Sequence, residues 1–223
     1  MLQQFFESTL GITLTAVIIL LSLLAGVGYL KSRKGSNLSG NQATKAMAFS
    51  AIAITLGTVL SYITIIKLPQ GGSVTLLSMF VVSLIGYLYG PVQGIIGGIA
   101  YGLLQLIIDP YVIHPLQLIL DYPLAFGMLG LSGFFNKQKN GLLFGYLLGV
   151  SGRFICSFIS GIVFFGDYAQ GTGMSPILYS FVYNGSYMGT EALITSFVIL
   201  LAPVKNAIHT IKNMAITKTV THK

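Results

Sequence analysis

Residues 115–135 read PLQLILDYPLAFGMLGLSGFF, 21 residues that are apolar almost throughout. About 20 such residues suffice for a helix to cross a bilayer. The run contains one carboxylate, Asp121, followed directly by Tyr122 and Pro123. A charge at that depth costs about 2.5–3.5 kcal/mol on insertion scales, so it marks function by default and calls for a partner. Pro123 removes a backbone donor and loosens the helix where the acid sits. The pattern is that of a binding pocket opened inside a membrane span.

The rest of the chain has the same character. Of 223 residues 54% are hydrophobic and 8% charged, with mean hydropathy +0.82, too few charges to cover the surface of a soluble domain. An all-α, polytopic helix bundle is expected, with spans at residues 10–30, 46–66, 74–89, 92–108, 115–135, 141–165 and 176–201. Basic residues gather in three places: Lys31, Arg33, Lys34 and Lys45; Lys137 and Lys139; and Lys205, Lys212, Lys218 and Lys223. Alternation of the spans puts all three on one side, which the positive-inside bias makes cytoplasmic. The N-terminus is then outside and the C-terminus inside. The net charge of +7 reports orientation in the bilayer and no nucleic-acid partner. Glu7 precedes the first apolar run and the bases follow it, so a retained anchor is expected there in place of a cleaved leader.

No G-x-x-x-x-G-K-[ST] phosphate loop and no H-E-x-x-H occur, and Cys156 has no second cysteine. Neither a metal nor another cofactor is expected, and any pumping must borrow its energy. Asp121, Arg153 and Glu191 are the charges placed well inside spans. Arg153 lies about 18 Å and Glu191 about 22 Å down their helices from the outer end, close enough in depth to form a structural ion pair. Asp121 then remains for a cationic or hydrogen-bond-donating ligand. Ser157, Gly161 and Phe165 recur every four residues on one helix face, and Tyr179 and Asn184 lie near the outer end of the last helix. A positive heteroaromatic ring over Phe165 or Tyr179 gains about 0.5–2 kcal/mol by cation–π attraction. The competing expectation for these aromatics is the ordinary interfacial belt. Ala51 with Thr55, and Ala53 with Gly57, lie four apart and make smooth helical faces, suited to internal packing or to docking on another membrane protein. Gly94, Gly97, Gly98 and Gly102 form a further one.

Three stretches carry a family resemblance: residues 121–126 (DYPLAF), Gly152-Arg153-Phe154 continuing to Ser157-Phe158-Ile159-Ser160-Gly161, and residues 179–187 (YSFVYNGSY). They resemble the thiamine-specific substrate-binding component of energy-coupling-factor transporters, over about residues 44–203. The resemblance implies a six-helix membrane domain that captures the vitamin from outside and docks with a transmembrane coupling subunit and two cytoplasmic ATPases. It places residues 1–35 as an extra transmembrane helix and linker, and 204–223 as a basic cytoplasmic tail. Carried over by position, it assigns the aminopyrimidine to Asp121 followed by Tyr122, and gives pocket roles to Tyr111, Ser157, Gly161, Phe165, Tyr179 and Asn184. Ala51 and Thr55 fall where the family has its docking motif. Three positions depart from the family: aspartate replaces glutamate at 121, serine replaces histidine at 157, and phenylalanine replaces tryptophan at 165. The chain contains no tryptophan.

The leading expectation is therefore a thiamine-capture subunit in a bacterial plasma membrane. The same scaffold with another vitamin or a pyrimidine precursor is the alternative, and from a different class stand an intramembrane enzyme using Asp121 or a purely structural subunit. An enzyme would need a second catalytic group near Asp121, for which only Tyr111, Ser157 and Asn184 offer themselves. The glycine-containing loop at residues 67–74 is expected to close over the ligand.

Overall fold

The computed structural model describes residues 40–138 and 140–216. The span expected at 10–30 and the basic cluster at 31–34 lie outside the described residues. The described chain runs α1 (Gly40–Tyr62), a hairpin of β1 (Thr64–Lys67) and β2 (Ser73–Thr75), α2 (Ser78–Tyr89) and α3 (Pro91–Ile108). A broken span follows: α4 (Pro115–Ile119), a π-helical turn (Leu120–Leu124), α5 (Ala125–Met128) and a 3-10 stretch (Leu129–Phe135). The last helices are α6 (Gly141–Phe164), α7 (Pro176–Leu200) and α8 (Ala202–Ile216).

Four described stretches are long and apolar enough to cross a membrane, at Gln42–Tyr62, Pro91–Ile108, Pro115–Phe135 and Gly141–Phe164. The pair α7 and α8 passes the same test as one span bent by 80°. Large apolar side chains such as Ile52, Leu193 and Phe197 are well exposed, which suits a surface wetted by lipid.

Two expected spans are corrected. The helix expected over 46–66 stops at Tyr62, and the span expected at 74–89 begins as a helix only at Ser78. Thr64, Ile65 and Ile66 are β-branched and favour extended backbone, and the turn at Pro69-Gln70-Gly71-Gly72 folds them back on Ser73–Thr75. The pairing is antiparallel, Ile66 opposite Val74 and Lys67 opposite Ser73, with an irregularity between Thr64 and Ile66. With 12 residues, α2 is about 18 Å long and does not cross the hydrocarbon alone.

Small residues set the packing. Ala53 and Gly57 are buried, Gly57 against Val82 and Tyr101, so this pair serves internal packing while Ala51 and Thr55 stay exposed on the other face of α1. In α3, a Cβ at Gly94 would lie 2.5 Å from Gly86 Cα and 2.7 Å from Gly130 Cα, and one at Gly102 2.5 Å from the Tyr122 carbonyl oxygen. Backbones meet there, and α3 is pressed along the broken span. Around this contact Met79, Val82, Tyr101, Leu129 and Tyr146 form the buried core. The expected tail from 204 belongs to α8, which turns back under the bundle. Ile208 is buried, and Lys212 Nζ donates to the Asn136 carbonyl and, at 3.3 Å, to the Tyr87 hydroxyl, over whose ring it lies at 4.3 Å. The turn after α2, the turn after the broken span and α8 thus share one end of the molecule, the basic one.

Candidate functional site

The local chemistry of Asp121 begins with Pro123. Its missing N–H deprives the Ile119 carbonyl of an α-helical partner, and the chain passes through one π turn, in which the Ala125 N–H reaches back to the Leu120 carbonyl. The wider turn carries the carboxylate into a cavity of about 380 Å³ bounded by the hairpin turn, the broken span, α6 and α7. That size suits a small organic ligand.

Asp121 is not bare. Its Oδ2 accepts from Gln117 Nε2 at 2.7 Å and from Ser160 Oγ at 2.9 Å, while Oδ1 takes no hydrogen bond from the described residues. Gln117, fully buried one turn earlier, also donates to the Tyr111 carbonyl (3.0 Å) and accepts from the Ile113 N–H (3.2 Å). Tyr122 fixes the same loop, accepting from the Tyr111 N–H (2.8 Å) and donating to the Asp109 carbonyl (3.0 Å). The loop 109–114 and the carboxylate are thereby held as one unit.

All eight residues singled out for a ligand, Tyr111, Asp121, Tyr122, Ser157, Gly161, Phe165, Tyr179 and Asn184, line this one cavity. Phe165 stacks between Tyr111 (centroids 5.9 Å) and Tyr168 (6.0 Å), and Tyr179 stacks on Tyr183 (5.9 Å). The Tyr111 and Tyr168 hydroxyls meet at 2.7 Å. This hydrogen bond, with some burial, pushes the Tyr111 phenol up to about 12, so it stays neutral in physiological conditions.

Asn184 is more committed than its place in the sequence suggests. Its amide nitrogen donates to the Ser157 carbonyl (3.3 Å) and the Ser180 carbonyl (3.0 Å), and its oxygen accepts from the Tyr187 hydroxyl (3.1 Å). It braces α6 against α7 beside Gly161, where a Cβ would collide with Ser180. One lone pair of its oxygen remains for a ligand.

The expected ion pair between Arg153 and Glu191 is not formed. Glu191 Oε2 accepts from the Thr75 N–H (3.0 Å) and Oγ1 (2.8 Å), and Oε1 from the Met79 N–H (3.3 Å) and Ser78 Oγ (3.5 Å). The segment joining β2 to α2 satisfies this carboxylate, with Leu77 held at φ 61° inside it. Arg153 instead lines the cavity, its guanidinium carbon 4.1 Å from the centre of the Phe126 ring. Depth along the two helices was matched, but the hairpin base, invisible as structure in the sequence, reaches Glu191 first.

The cavity is also lined by Gln117, Tyr183 and Tyr187, which the sequence did not single out, and by Lys67, Gln70 and Gly72 of the loop expected over the ligand, here the turn of a hairpin. The spacing of Gln117 four before Asp121 was an available signal. The hairpin turn is tied to α7, since the Tyr183 hydroxyl accepts from the Gly72 N–H at 2.9 Å and donates to the Pro69 carbonyl.

A bundle of apolar helices enclosing a polar and aromatic cavity, with one deep carboxylate and tyrosine-tethered loops over it, defines a membrane-embedded small-molecule binding protein. Its relatives narrow the class. The chain belongs to the thiamine transporter protein family, whose match spans residues 47–211. It is 35% identical over 150 residues to the thiamine transporter ThiT of Bacillus subtilis, covering 61% of this chain and 77% of that one. It is 34% identical over 119 residues to ThiT of Lacticaseibacillus paracasei, covering 46% and 59% respectively. In fold it is similar to the solved structure of ThiT from Listeria monocytogenes, with a TM-score of 0.64 and 24% identity over 76% of this chain and 96% of that one. The chain is thus a multi-pass protein of a bacterial plasma membrane, of a family of transporters and not of enzymes.

Proposed function

We propose that the chain is the substrate-capture subunit of an energy-coupling-factor importer and binds thiamine from outside. The observation that carries this reading is the convergence of Asp121 and seven further residues, from four separate segments, on one cavity of about 380 Å³. Asp121 Oδ1 accepts from the exocyclic amine of the pyrimidine, and the thiazolium lies among Phe165, Tyr179 and their stacked neighbours, where cation–π attraction favours it. The shorter aspartate draws the pyrimidine closer to the helix than a glutamate would. The basic end with α8 faces the cytoplasm, which puts the hairpin and the cavity on the outer side. The loop at residues 67–74 is the lid, and Tyr183 its latch.

Ala51 and Thr55, exposed on α1, form the docking face for a coupling subunit that recruits two ATPases. The absence of a phosphate-binding loop in this sequence supports that division of labour. Loss of tryptophan from the cavity, and Ser157 where a histidine is expected, favour a second reading on the same scaffold, in which a thiamine precursor is the preferred ligand.

Calorimetric titration of the detergent-purified protein with thiamine, and with its pyrimidine and thiazole halves separately, tests both. Thiamine is expected to bind in the nanomolar to low-micromolar range, with a loss of about tenfold or more in Asp121→Asn. Binding of the pyrimidine half alone at thiamine's affinity would favour the precursor. No binding of either by folded protein would sink the vitamin assignment.

A further inference from the structure

Arg153 is a buried-end cation whose use the fold does not explain. Among the described residues none accepts a hydrogen bond from it, and its Nε is fully buried without a partner. Glu191 is saturated by four donors from Thr75, Ser78 and Met79. Asp121 lies within electrostatic range, yet both of its protein hydrogen bonds come from Gln117 and Ser160, and both land on Oδ2. The Phe126 ring, 4.1 Å from the guanidinium carbon, holds the group by its face and satisfies none of its N–H groups. A guanidinium cannot shed its proton to escape this, so its donors await an acceptor that the described residues do not supply.

The cavity therefore presents one open carboxylate oxygen and one open set of cationic donors. A cationic ring beside Arg153 would be repelled, so the neutral end of a bipolar ligand belongs there. On thiamine, the ligand proposed above and on which this inference rests, that end is the aminopyrimidine. Its edge carries an amine donor next to a ring-nitrogen acceptor, the complement of a carboxylate oxygen and a guanidinium N–H. The geometry points to Arg153 as a specificity-determining ligand contact, donating to the ring nitrogen beside the amino group while Asp121 Oδ1 accepts from the amine. A site that offers a donor to a ring nitrogen rejects an analogue lacking it, because the donor is then buried unpaired.

The test is a cycle of binding titrations with the full chain in detergent: wild type and Arg153→Met, each with thiamine and with the analogue in which the ring nitrogen beside the amino-bearing carbon is replaced by CH. Wild type is expected to bind the analogue about tenfold or more weakly than thiamine. Arg153→Met is expected to bind both within about twofold of each other, at the wild-type level for the analogue. A role confined to holding the fold would weaken both ligands alike and leave their ratio unchanged, which overturns the inference. Should Arg153→Met not fold, the wild-type ratio decides it: indifference to the ring nitrogen overturns it, and a tenfold preference that persists in Arg153→Lys, which keeps a donor, upholds it. If wild type binds no thiamine, the vitamin reading fails and this inference fails with it. If thiamine binds and depends on Asp121 while Arg153→Met still discriminates, only the inference about Arg153 fails.

Discussion

The two halves of the broken span between Pro115 and Phe135 are built on opposite plans. From Ala125 the chain returns to α geometry and from Leu129 tightens into 3-10, and Gly130 and Gly133 meet the backbones of Gly94, Pro91 and Gly86 with no side chain between them. Before Ala125 it loosens into a π turn, and Asp121, Gln117 and Tyr122 spend their polar groups on a loop and a cavity. One half is closed by backbone contact, and the other is held open by hydrogen bonds. A membrane helix can thus be rigid and functional along one length, provided that the change of plan falls at a residue lacking a backbone donor. Here that residue is Pro123.

The largest effect is expected from filling the closed half. A side chain at Gly130 would run into the Ile95 nitrogen and the Gly94 carbonyl carbon, and backbone cannot rotate aside. Gly130→Val should cost more than about 3 kcal/mol, beyond ordinary overpacking. Thermal unfolding in detergent, followed by size-exclusion chromatography, should show loss of the monodisperse protein. An unchanged midpoint would end the description of this half as closed.

Next in size is the joint between the closed core and the hairpin. In Glu191→Gln the amide keeps one acceptor oxygen and turns an NH2 toward the donors of the 75–79 segment. At least one buried donor is left unpaired, at a cost of about 1–3 kcal/mol. The unfolding midpoint should fall, with less change in thiamine affinity than in Asp121→Asn. The opposite order would make Glu191 part of the open half.

How much of this contrast the sequence carries differs between the halves. Asp121-Tyr122-Pro123 announces both the pocket and the break, because a buried acid and a proline each have few structural uses in lipid. The glycines at 94, 98 and 102 announce a close approach. What they approach is settled only by the tertiary fold. The hairpin was hidden because residues 63–66 and 74–77 are as apolar as the helices on either side, and hydropathy does not separate a β-branched strand from the end of a span. Missing the hairpin also misplaced Glu191's partners, and with them Arg153. Ser157, Gly161, Phe165, Tyr179 and Asn184 stood out by helical spacing and by nearness to the outer end, whereas Tyr111, in its loop, was singled out only through the family resemblance.

A smaller effect should follow from removing the break itself. Pro123→Ala restores a donor to the Ile119 carbonyl and lets the turn relax toward α geometry, which favours the helix by up to about 1 kcal/mol in this partly braced setting. The same change rotates Asp121 relative to Arg153 and Ser160. Thiamine affinity should fall about threefold while the unfolding midpoint holds or rises, the signature of strain kept for function. A fall in both would assign Pro123 to the closed plan.

The smallest effect belongs to the rim of the open half, where Tyr111 and Tyr168 join hydroxyls at 2.7 Å. Tyr111→Phe keeps the stacking on Phe165 and deletes only that bond, so at neutral pH thiamine should weaken by about twofold, as befits a solvent-exposed contact. Its pH dependence has a definite sign. The folded phenol is pushed up to about 12 from an ordinary 10, so the neutral form is favoured, and the bond's contribution to folding stability is complete below pH 10 and lost as pH rises from 10 through 12. Ultraviolet titration should show one tyrosine fewer ionising near 12 in Tyr111→Phe than in wild type. If the missing phenolate instead appears near 10, the rim bond is not closed in solution, and the aromatic stacks alone frame the mouth of the cavity.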